Sequence, residues 1–262
     1  MKLTDAQQQS LADRLFKAIR EGQGIDPPSN TLDYDFDDAY RVRRKLVNHL
    51  IAAGGRPKGH KIGFTSEAMQ KMYGMTGPDF GILLDTMFTP ESAPVRISHM
   101  SNTRAEPELA FELARPLEGQ VTVADVLAAT ARIWAAIEVI DSRVGAMKAK
   151  ANDSLADNAG AGWVILGSKP LTPPDLDVTA LTLLMEVDGF AQSAPATDVM
   201  GDPAAPLAFL AGKLAKLQGL GGNLKAGDIV ITGAPVRSVE VKAGSKLHAD
   251  FGPLGTIDLT FE

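Results

Sequence analysis

The chain of 262 residues contains no cysteine. This absence excludes disulfides, thiol nucleophiles, iron–sulfur clusters and zinc sites built on thiolates. Histidine is scarce as well, because the 4 residues are scattered along the chain, so a histidine-rich metal site is not expected. Carboxylates remain, since Asp and Glu together number 32. If the chain binds a metal, the sequence therefore predicts a hard cation held by oxygen ligands.

Long apolar segments and an excess of basic charge are also missing. No stretch approaches the roughly 20 uncharged apolar residues that span a bilayer, and the polar start at residues 1–5 has no apolar signal core. The net charge of −6 argues against nucleic acid as a partner, because phosphate binding favours a basic face. We therefore expect a cytoplasmic protein that binds neither nucleic acid nor membranes.

Two amphipathic helices are predicted at the N-terminus. Thr4 can cap the first helix, which ends at Gly22, and the second runs from about Asp37 to Gly54. A cluster of basic residues in the middle of the second helix is interpreted as a solvated face. Its members are Arg41, Arg43, Arg44 and Lys45.

Short apolar runs separated by Gly, Pro, Asp and Asn dominate the rest of the chain, which is typical of strands and tight turns. The predicted strands cover residues 61–65, 81–85, 106–113, 133–141, 163–166, 181–187, 228–232, 239–241, 246–251 and 256–261, with helices at 123–131 and 207–217. Irregular strands with few helices favour an α+β fold built on a curled sheet or roll over a doubly wound sheet.

An acidic strand is the first candidate for chemistry. Alternate side chains on a strand share a face, so Glu106, Glu108 and Glu112 are predicted to point one way while Leu109 and Phe111 point the other. The first two would lie about 7 Å apart, close enough to share one cation. A half-exposed strand with a wet acidic face explains the same pattern, and the pattern alone favours it.

A single carboxylate, Glu138, interrupts the apolar segment 133–141, which resembles a strand buried on both faces. Burial of a carboxylate is costly unless a cation or hydrogen bonds compensate it. Glu138 is therefore a functional candidate, and the alternative is a buried salt bridge to Arg143 or Arg132. Three such carboxylates would suit a Mg²⁺ or Mn²⁺ ion that also coordinates a chelating substrate.

Three further features carry weaker signals. Lys61 lies between Gly and apolar neighbours on a short predicted strand, where desolvation would lower its pKa and suit proton transfer, although a Lys extending to solvent is the alternative. Asp79 lies in a predicted turn before a strand. The small-residue loop 157–162 could let the backbone approach a ligand closely, or it could be a tight turn.

Together these motifs resemble one family. They are Lys-Ile-Gly-Phe-Thr-Ser (61–66), Pro-Asp-Phe-Gly (78–81), Glu-Pro-Glu (106–108), Ile-Glu-Val-Ile-Asp-Ser-Arg (137–143) and Asp-Asn-Ala (157–159). The chain resembles the 2-keto-4-pentenoate hydratase and 4-oxalocrotonate decarboxylase family of the fumarylacetoacetate hydrolase superfamily, over nearly its whole length. The resemblance implies a mixed β-roll core of the fumarylacetoacetate hydrolase C-terminal type with flanking helices. We divide the chain into an N-terminal helical region, residues 1–57, and a metal-binding catalytic region, residues 58–262.

The resemblance also implies roles for individual residues. The ligands of a Mg²⁺ or Mn²⁺ ion would be Glu106, Glu108 and Glu138, and acid–base roles would fall to Lys61 and Asp79. Contacts with the substrate would come from Thr65, Ser66, Asp157, Asn158 and Gly160. Relatives suggest a homo-oligomer. The chain departs from many relatives at Ala105, where they have Ile or Val, and at Gly160, where they have a Ser.

The implied activity is the addition of water to a 2-hydroxy-2,4-dienoate, giving a 4-hydroxy-2-oxo acid, in the breakdown of aromatic compounds after meta-cleavage. Pro78-Asp79-Phe80 favours this hydratase reaction, whereas Val139–Arg143 is similar to the decarboxylases, which release CO₂ from a 2-oxo dicarboxylate. Two alternatives stay open. A C–C hydrolase acting on an acylpyruvate would need a histidine near these motifs, and His60 is predicted to lie on the opposite strand face from Lys61. A binding module without catalysis would hold no metal.

Overall fold

The structure is a computed structural model that describes residues 1–66, 70–71, 73–145, 149–217 and 219–262. Two long helices open the chain, α1 at Asp5–Glu21 and α2 at Phe36–Ala52. Each begins with a capping box, in which the side chain of Thr4 or Asp35 accepts the backbone N–H three residues further on. These caps satisfy N–H groups that have no partner within the helix, which explains why the helices begin there.

Twelve strands and three shorter helices follow in the described chain. The strands are β1 (Pro57–Gly63), β2 (Asp79–Leu84), β3 (Phe88–Pro90), β4 (Thr103–Leu113), β5 (Thr130–Asp141), β6 (Trp163–Leu166), β7 (Thr182–Val187), β8 (Phe190–Pro195), β9 (Ile229–Ile231), β10 (Val239–Glu240), β11 (Lys246–Asp250) and β12 (Thr256–Thr260). The helices are α3 (Val123–Ala129), α4 (Ala151–Ala156) and α5 (Ala205–Lys216).

Two sheets organise these strands. The larger sheet is mixed and has the order β2–β1–β9–β4–β5–β6–β3, with β10 paired to β4 beside this path. The pairs β1–β9 and β3–β6 are parallel, and the other pairs are antiparallel. The smaller sheet is antiparallel with the order β12–β11–β7–β8. The predicted α+β fold with a curled mixed sheet and flanking helices is confirmed.

One apolar core joins the helices to the sheet. Leu11 and Leu15 of α1 and Leu46 of α2 belong to the same buried cluster as Phe111 of β4 and Ile137 of β5. The apolar faces of the two helices, which the sequence predicts, therefore belong to the same core as the buried side chains of the strands. No helix within the described ranges combines the length and apolar character needed to cross a bilayer.

Most predicted strands coincide with observed ones to within a few residues, but the sequence patterns do not predict β3, β8 or α4. Strand β8 reads Phe-Ala-Gln-Ser-Ala-Pro and is largely exposed at a sheet edge, so it lacks an apolar alternation. Strand β1 ends at Gly63, two residues earlier than predicted, because Phe64 adopts a left-handed φ of 57° that breaks the extended backbone.

Candidate metal and active site

Three glutamates converge on one face of the mixed sheet. Glu106 and Glu108 occupy alternate positions on β4, so their side chains share a face. Glu138 lies opposite Glu106 in the antiparallel β4–β5 register. Each residue offers a carboxylate oxygen within 4.8 Å of the other two. The structure thus brings together the three carboxylates that the sequence singled out, and we call them the acidic triad.

The acidic triad is shielded from solvent. Glu108 and Glu138 have no exposed surface, and Glu106 is partly exposed. Burial, together with the neighbouring charge of Glu138, raises the pKa of Glu106 to about 7. The same two causes, with Glu106 in addition, raise the pKa of Glu108 well above its usual value. The interpretation of β4 as a strand with a wet acidic face is therefore wrong for Glu108, which is fully buried and accepts a hydrogen bond from the backbone of Gly233, whereas Glu106 and Glu112 are partly exposed.

Lys61 on β1 reaches into the acidic triad. Its Nζ atom lies 3.0 Å from Oε2 of Glu138 and donates a hydrogen bond of 3.2 Å to the carbonyl of Ala159. Burial lowers the pKa of Lys61, but the combined attraction of the three glutamates outweighs burial, so the pKa is raised. The prediction of a lowered pKa is wrong, because the local sequence does not reveal that three carboxylates surround this ammonium.

The position of Lys61 also corrects the expected partner of Glu138. Arg143 and Arg132, the two arginines considered from the sequence, pair with other carboxylates. The cation beside Glu138 comes instead from β1, which is separated from β5 by β9 and β4 in the sheet. A partner so distant in sequence has no local signature.

The free oxygens of the triad fit a hard divalent cation. Among the described residues, Oε1 of Glu108 and Oε1 of Glu138 are buried without a hydrogen-bond partner. The backbone N–H of Gly233 donates to Oε2 of Glu108 at 2.7 Å and so orients that carboxylate. A buried carboxylate oxygen without a partner is costly, and a cation would compensate it. The oxygen-only donor set suits Mg²⁺ or a similar hard ion.

The predicted substrate contacts Thr65 and Ser66 lie just beyond the strand that carries Lys61, after Phe64. Thr65 is buried and packs against Gly233, where an added Cβ would lie 2.7 Å from the Thr65 side chain. Gly233 also has a φ of +86°, a conformation that a larger residue rarely adopts. Glycine at this position therefore allows Thr65 to pack against a backbone whose N–H donates to Glu108.

Asp79 opens the edge strand β2 and is fully buried. Its Oδ1 atom accepts a hydrogen bond of 3.1 Å from the hydroxyl of Tyr40 and lies 3.2 Å from Nζ of Lys213. The structure thus places Asp79 with α2 and α5 rather than in contact with the acidic triad. Sequence reasoning missed Tyr40 and Lys213, because both lie on ordinary amphipathic helices with no motif around them.

A left-handed turn borders the site beside Lys61. Asn158, Ala159 and Gly160 have φ values of 54°, 53° and 66°. For a non-glycine residue this conformation costs roughly 1–2 kcal/mol, so it persists only where the surroundings hold it. The turn directs the carbonyl of Ala159 at Lys61. The loop is thus a tight turn whose backbone also contacts a site residue.

Arg143 anchors this turn through Asp157. The backbone N–H and Nε of Arg143 donate to the Asp157 carboxylate at 2.9 and 2.7 Å, and its Nη atoms donate to the carbonyls of Asp157 and Ala161. Burial raises the pKa of Asp157 to about 7, against the lowering effect of Arg143. The sequence places Asp157 beside the substrate, whereas in the structure its carboxylate is engaged by this buried arginine.

The Asn158 side chain fastens the turn to β2. Its Oδ1 accepts the N–H of Ile82 and its Nδ2 donates to the carbonyl of Ile82, both at 2.8 Å. The carboxamide thereby replaces the neighbouring strand that an edge strand lacks.

We expect Asn158→Ala to lower the free energy of unfolding by about 2–4 kcal/mol, because two buried backbone groups of Ile82 would lose their partners. Urea unfolding followed by circular dichroism measures this loss. Asn48→Ala, on the exposed face of α2, is the control and should change stability by less than about 0.5 kcal/mol. A loss below about 1 kcal/mol for Asn158→Ala would contradict this role.

His60 lies away from the acidic triad, on the opposite face of β1 from Lys61, as predicted. Its Nε2 lies 2.9 Å from the carbonyl oxygen of Gly221, and its ring packs beside Phe80. Burial lowers the pKa of His60 to about 4. This histidine therefore has a structural environment rather than one suited to activating water at the triad.

Fold and site together define a class of protein, namely α+β enzymes with a curled mixed sheet and three converging carboxylates that could hold a divalent cation. Residues 62–262 match the family model described as fumarylacetoacetate (FAA) hydrolase C-terminal. The chain belongs to this family.

Similar proteins extend over nearly the whole chain. The 2-oxo-hept-4-ene-1,7-dioate hydratase of Escherichia coli is 37% identical over 262 residues, 96% of each chain. The 2-keto-4-pentenoate hydratase of Paraburkholderia phymatum is 37% identical over 257 residues, 97% of each chain. Among solved structures, the 4-oxalocrotonate decarboxylase from Pseudomonas putida G7, complexed with magnesium and adipate, has a TM-score of 0.94 at 28% identity and covers 99% of both chains. The same decarboxylase is also known complexed with calcium and acetate.

Proposed function

We propose that this protein is a metal-dependent hydro-lyase that adds water to a 2-hydroxy-2,4-dienoate of the 2-hydroxypenta-2,4-dienoate type. The product is a 4-hydroxy-2-oxo acid, and the reaction belongs to the catabolism of aromatic compounds after meta-cleavage. The observation that carries the proposal is the buried acidic triad beside Lys61, in a chain whose full-length relatives include hydratases.

The cofactor is Mg²⁺ or Mn²⁺, held by Glu106, Glu108 and Glu138. Free buried oxygens of Glu108 and Glu138 support this assignment, as does the magnesium in the decarboxylase structure. When bound, the cation supplies positive charge that neutralises the C1 carboxylate and C2 oxygen of the substrate. The triad fixes the place of this charge, because Gly233 orients the carboxylate of Glu108 and Lys61 lies beside that of Glu138.

Lys61 and Asp79 carry the protons in the proposed reaction. The C2 hydroxyl of the dienol loses its proton and C5 gains one, which leaves an unsaturated ketone with a double bond between C3 and C4. Water then adds its hydroxyl to C4 and a proton to C3, so the net change is one water molecule. Support for Lys61 comes from its ammonium beside Glu138, and support for Asp79 from its buried carboxylate at the start of the neighbouring strand.

Contacts with the body of the substrate are assigned to Thr65, Ser66 and the turn formed by Asn158 and Gly160. Thr65 is supported by its place beside Gly233, and the turn by its contact with Lys61. Asp157 acts through Arg143, by keeping the turn in its left-handed form. The substrate is thereby held in register with the groups that move protons, which is a large source of rate acceleration.

A comparison of substrates tests the proposed reaction. With Mg²⁺ or Mn²⁺ supplied, we expect 2-hydroxypenta-2,4-dienoate to lose its dienol absorbance without release of CO₂. Turnover of 4-oxalocrotonate, measured as CO₂ release, should be at least about tenfold slower. This ratio corresponds to an activation free energy that is higher by roughly 1.4 kcal/mol. The reverse ranking would make the protein a decarboxylase, and turnover of an acylpyruvate alone would make it a C–C hydrolase.

Decarboxylation is the second candidate, and the match to 4-oxalocrotonate decarboxylase over 99% of both chains favours it. The acylpyruvate hydrolase is less well supported, because the buried His60 contacts Gly221 instead of the triad. If the protein neither binds a divalent cation nor turns over any of the three substrates, it would be a binding module without catalytic activity.

We also propose that the enzyme works in the cytoplasm as a homo-oligomer, with the helical region 1–57 attached to the catalytic region 58–262. The start of the family match at residue 62 supports this division. The exposed aromatic rings of Phe36 and Phe190 are apolar surface that subunit contacts could cover.

A further inference from the structure

Arg43 of α2 is a fully buried cation close to the start of β2. The sequence predicts a solvated face for the basic cluster at residues 41–45. Arg41 and Arg44 are indeed exposed, but the prediction is wrong for Arg43, because the helix turns this position toward the sheet. Within the described ranges, its Nε and Nη2 atoms have no hydrogen-bond partner. Burial of a guanidinium with two free donors is costly, so its contacts require an explanation.

The contacts of Arg43 are concentrated around Asp79. Nη1 donates a hydrogen bond of 2.6 Å to the backbone carbonyl of Phe80, the residue after Asp79. The guanidinium also lies 4.0 Å from the centre of the Phe80 ring and 4.8 Å from that of Tyr40. Tyr40 in turn donates its hydroxyl hydrogen bond to Asp79. Arg43 thus contacts both the next residue in the chain and the hydrogen-bond donor of the Asp79 carboxylate.

The bond to Phe80 stabilises a free sheet edge. In an antiparallel edge strand, the backbone groups of every second residue point away from the sheet, and in β2 these include Phe80 and Ile82. Asn158 satisfies Ile82, and Arg43 satisfies the carbonyl of Phe80. Two side chains from separate elements therefore replace a neighbouring strand, one beside Lys61 and the other beside Asp79.

We propose that Arg43 is a positioning residue, which fixes the start of β2 and with it the direction of the Asp79 carboxylate. The proposal rests on the proton-transfer role proposed above for Asp79. The hydrogen bond from Nη1 to Phe80 carries this role. Lysine at this position keeps a donor that ends only one bond short of Nη1, whereas methionine has no donor.

Two substitutions at Arg43 test the proposal in the metal-loaded protein. We expect Arg43→Met to lower kcat by roughly 10- to 100-fold with KM changed less than about threefold, because displacement of a proton-transferring group affects the chemical step. Arg43→Lys should keep kcat within about threefold of the unmodified protein, since its Nζ atom can donate to the carbonyl of Phe80. Arg44→Met, on the exposed face of the same helix, should leave both constants unchanged.

A measurement independent of substrate accompanies the kinetics. Hydrogen–deuterium exchange in a peptide covering residues 79–84 should be faster in Arg43→Met and close to that of the unmodified protein in Arg43→Lys. Unchanged kcat in Arg43→Met, or a drop of more than about tenfold in folded Arg43→Lys, would overturn the proposal. The second criterion decides the matter even if Arg43→Met does not fold. If the unmodified protein shows no turnover, the proposed function fails, while the exchange comparison still decides whether Arg43 holds β2.

Discussion

Glu108→Gln is expected to abolish metal-dependent turnover, with a loss of at least about 10³-fold in kcat/KM. Glu108 contributes the central buried carboxylate of the triad, and its Oε1 atom is free while Oε2 is fixed by Gly233. The amide keeps the shape of the side chain but removes the negative charge that a hard cation requires. Mg²⁺ titration by calorimetry measures the loss of metal binding, and initial rates on the dienol substrate measure the loss of turnover.

Protein stability distinguishes a lost ligand from a damaged fold. In the metal-free protein, Glu108→Gln should be at least as stable as the unmodified chain, because it removes a buried carboxylate whose pKa is already raised by burial and by two glutamates. Glu112→Gln is the matched control, since Glu112 lies on the same face of β4 but is partly exposed and contacts Trp134. Mg²⁺ binding and turnover that survive in Glu108→Gln would remove this residue from the ligand set.

Arg143→Met is expected to lower the free energy of unfolding by about 3–5 kcal/mol, because it leaves the Asp157 carboxylate buried without its partner. Arg143 is 2% exposed, and the substitution removes side-chain bonds to Asp157 and Ala161. The left-handed turn, which this arginine holds, would relax and withdraw the Ala159 carbonyl from Lys61. Denaturant unfolding measures the stability, and kcat measures the consequence for the site.

The control for Arg143→Met is Arg132→Met. Arg132 is 56% exposed and lies 3.7 Å from Glu112, so its loss should cost less than about 1 kcal/mol. Equal stability losses in the two variants would show that the buried network around Asp157 contributes no more to the free energy of unfolding than an exposed ion pair does. A stable Arg143→Met variant with unchanged kcat would contradict the anchoring role of this arginine.

Local patterns were sufficient for features that depend on one strand or one helix. The alternation on β4 predicts that Glu106 and Glu108 share a face, and the apolar surroundings of Glu138 predict its burial, as observed. The first follows from the period of two in a strand, and the second from an apolar segment typical of a strand buried on both faces. The charged partner of Glu138 could not be predicted from local patterns, because Lys61 lies on a strand that is distant in the sequence.

The basic cluster on α2 shows the same limit for a helix. Four neighbouring basic residues suggest a solvated face, and three of them are wholly or partly exposed. A helix carries its side chains around its whole circumference, so one member of any such run can face the core. Only the position of β2 against α2 decides that this member is Arg43 and that it bonds to Phe80.

The sequence by itself determined the chemistry available to this protein. Without cysteine and with few histidines, any metal binding was left to carboxylates; strand alternation indicated Glu106 and Glu108, and an apolar segment indicated Glu138. The tertiary structure alone decided which charged group from a distant strand lies beside these carboxylates. In a flat sheet, the backbones of β1 and β5 would be three strand spacings apart, about 14 Å, yet Nζ of Lys61 and Oε2 of Glu138 are 3.0 Å apart. The two long side chains and the curl of the sheet together close this gap, because they bring charged groups of distant strands to one place.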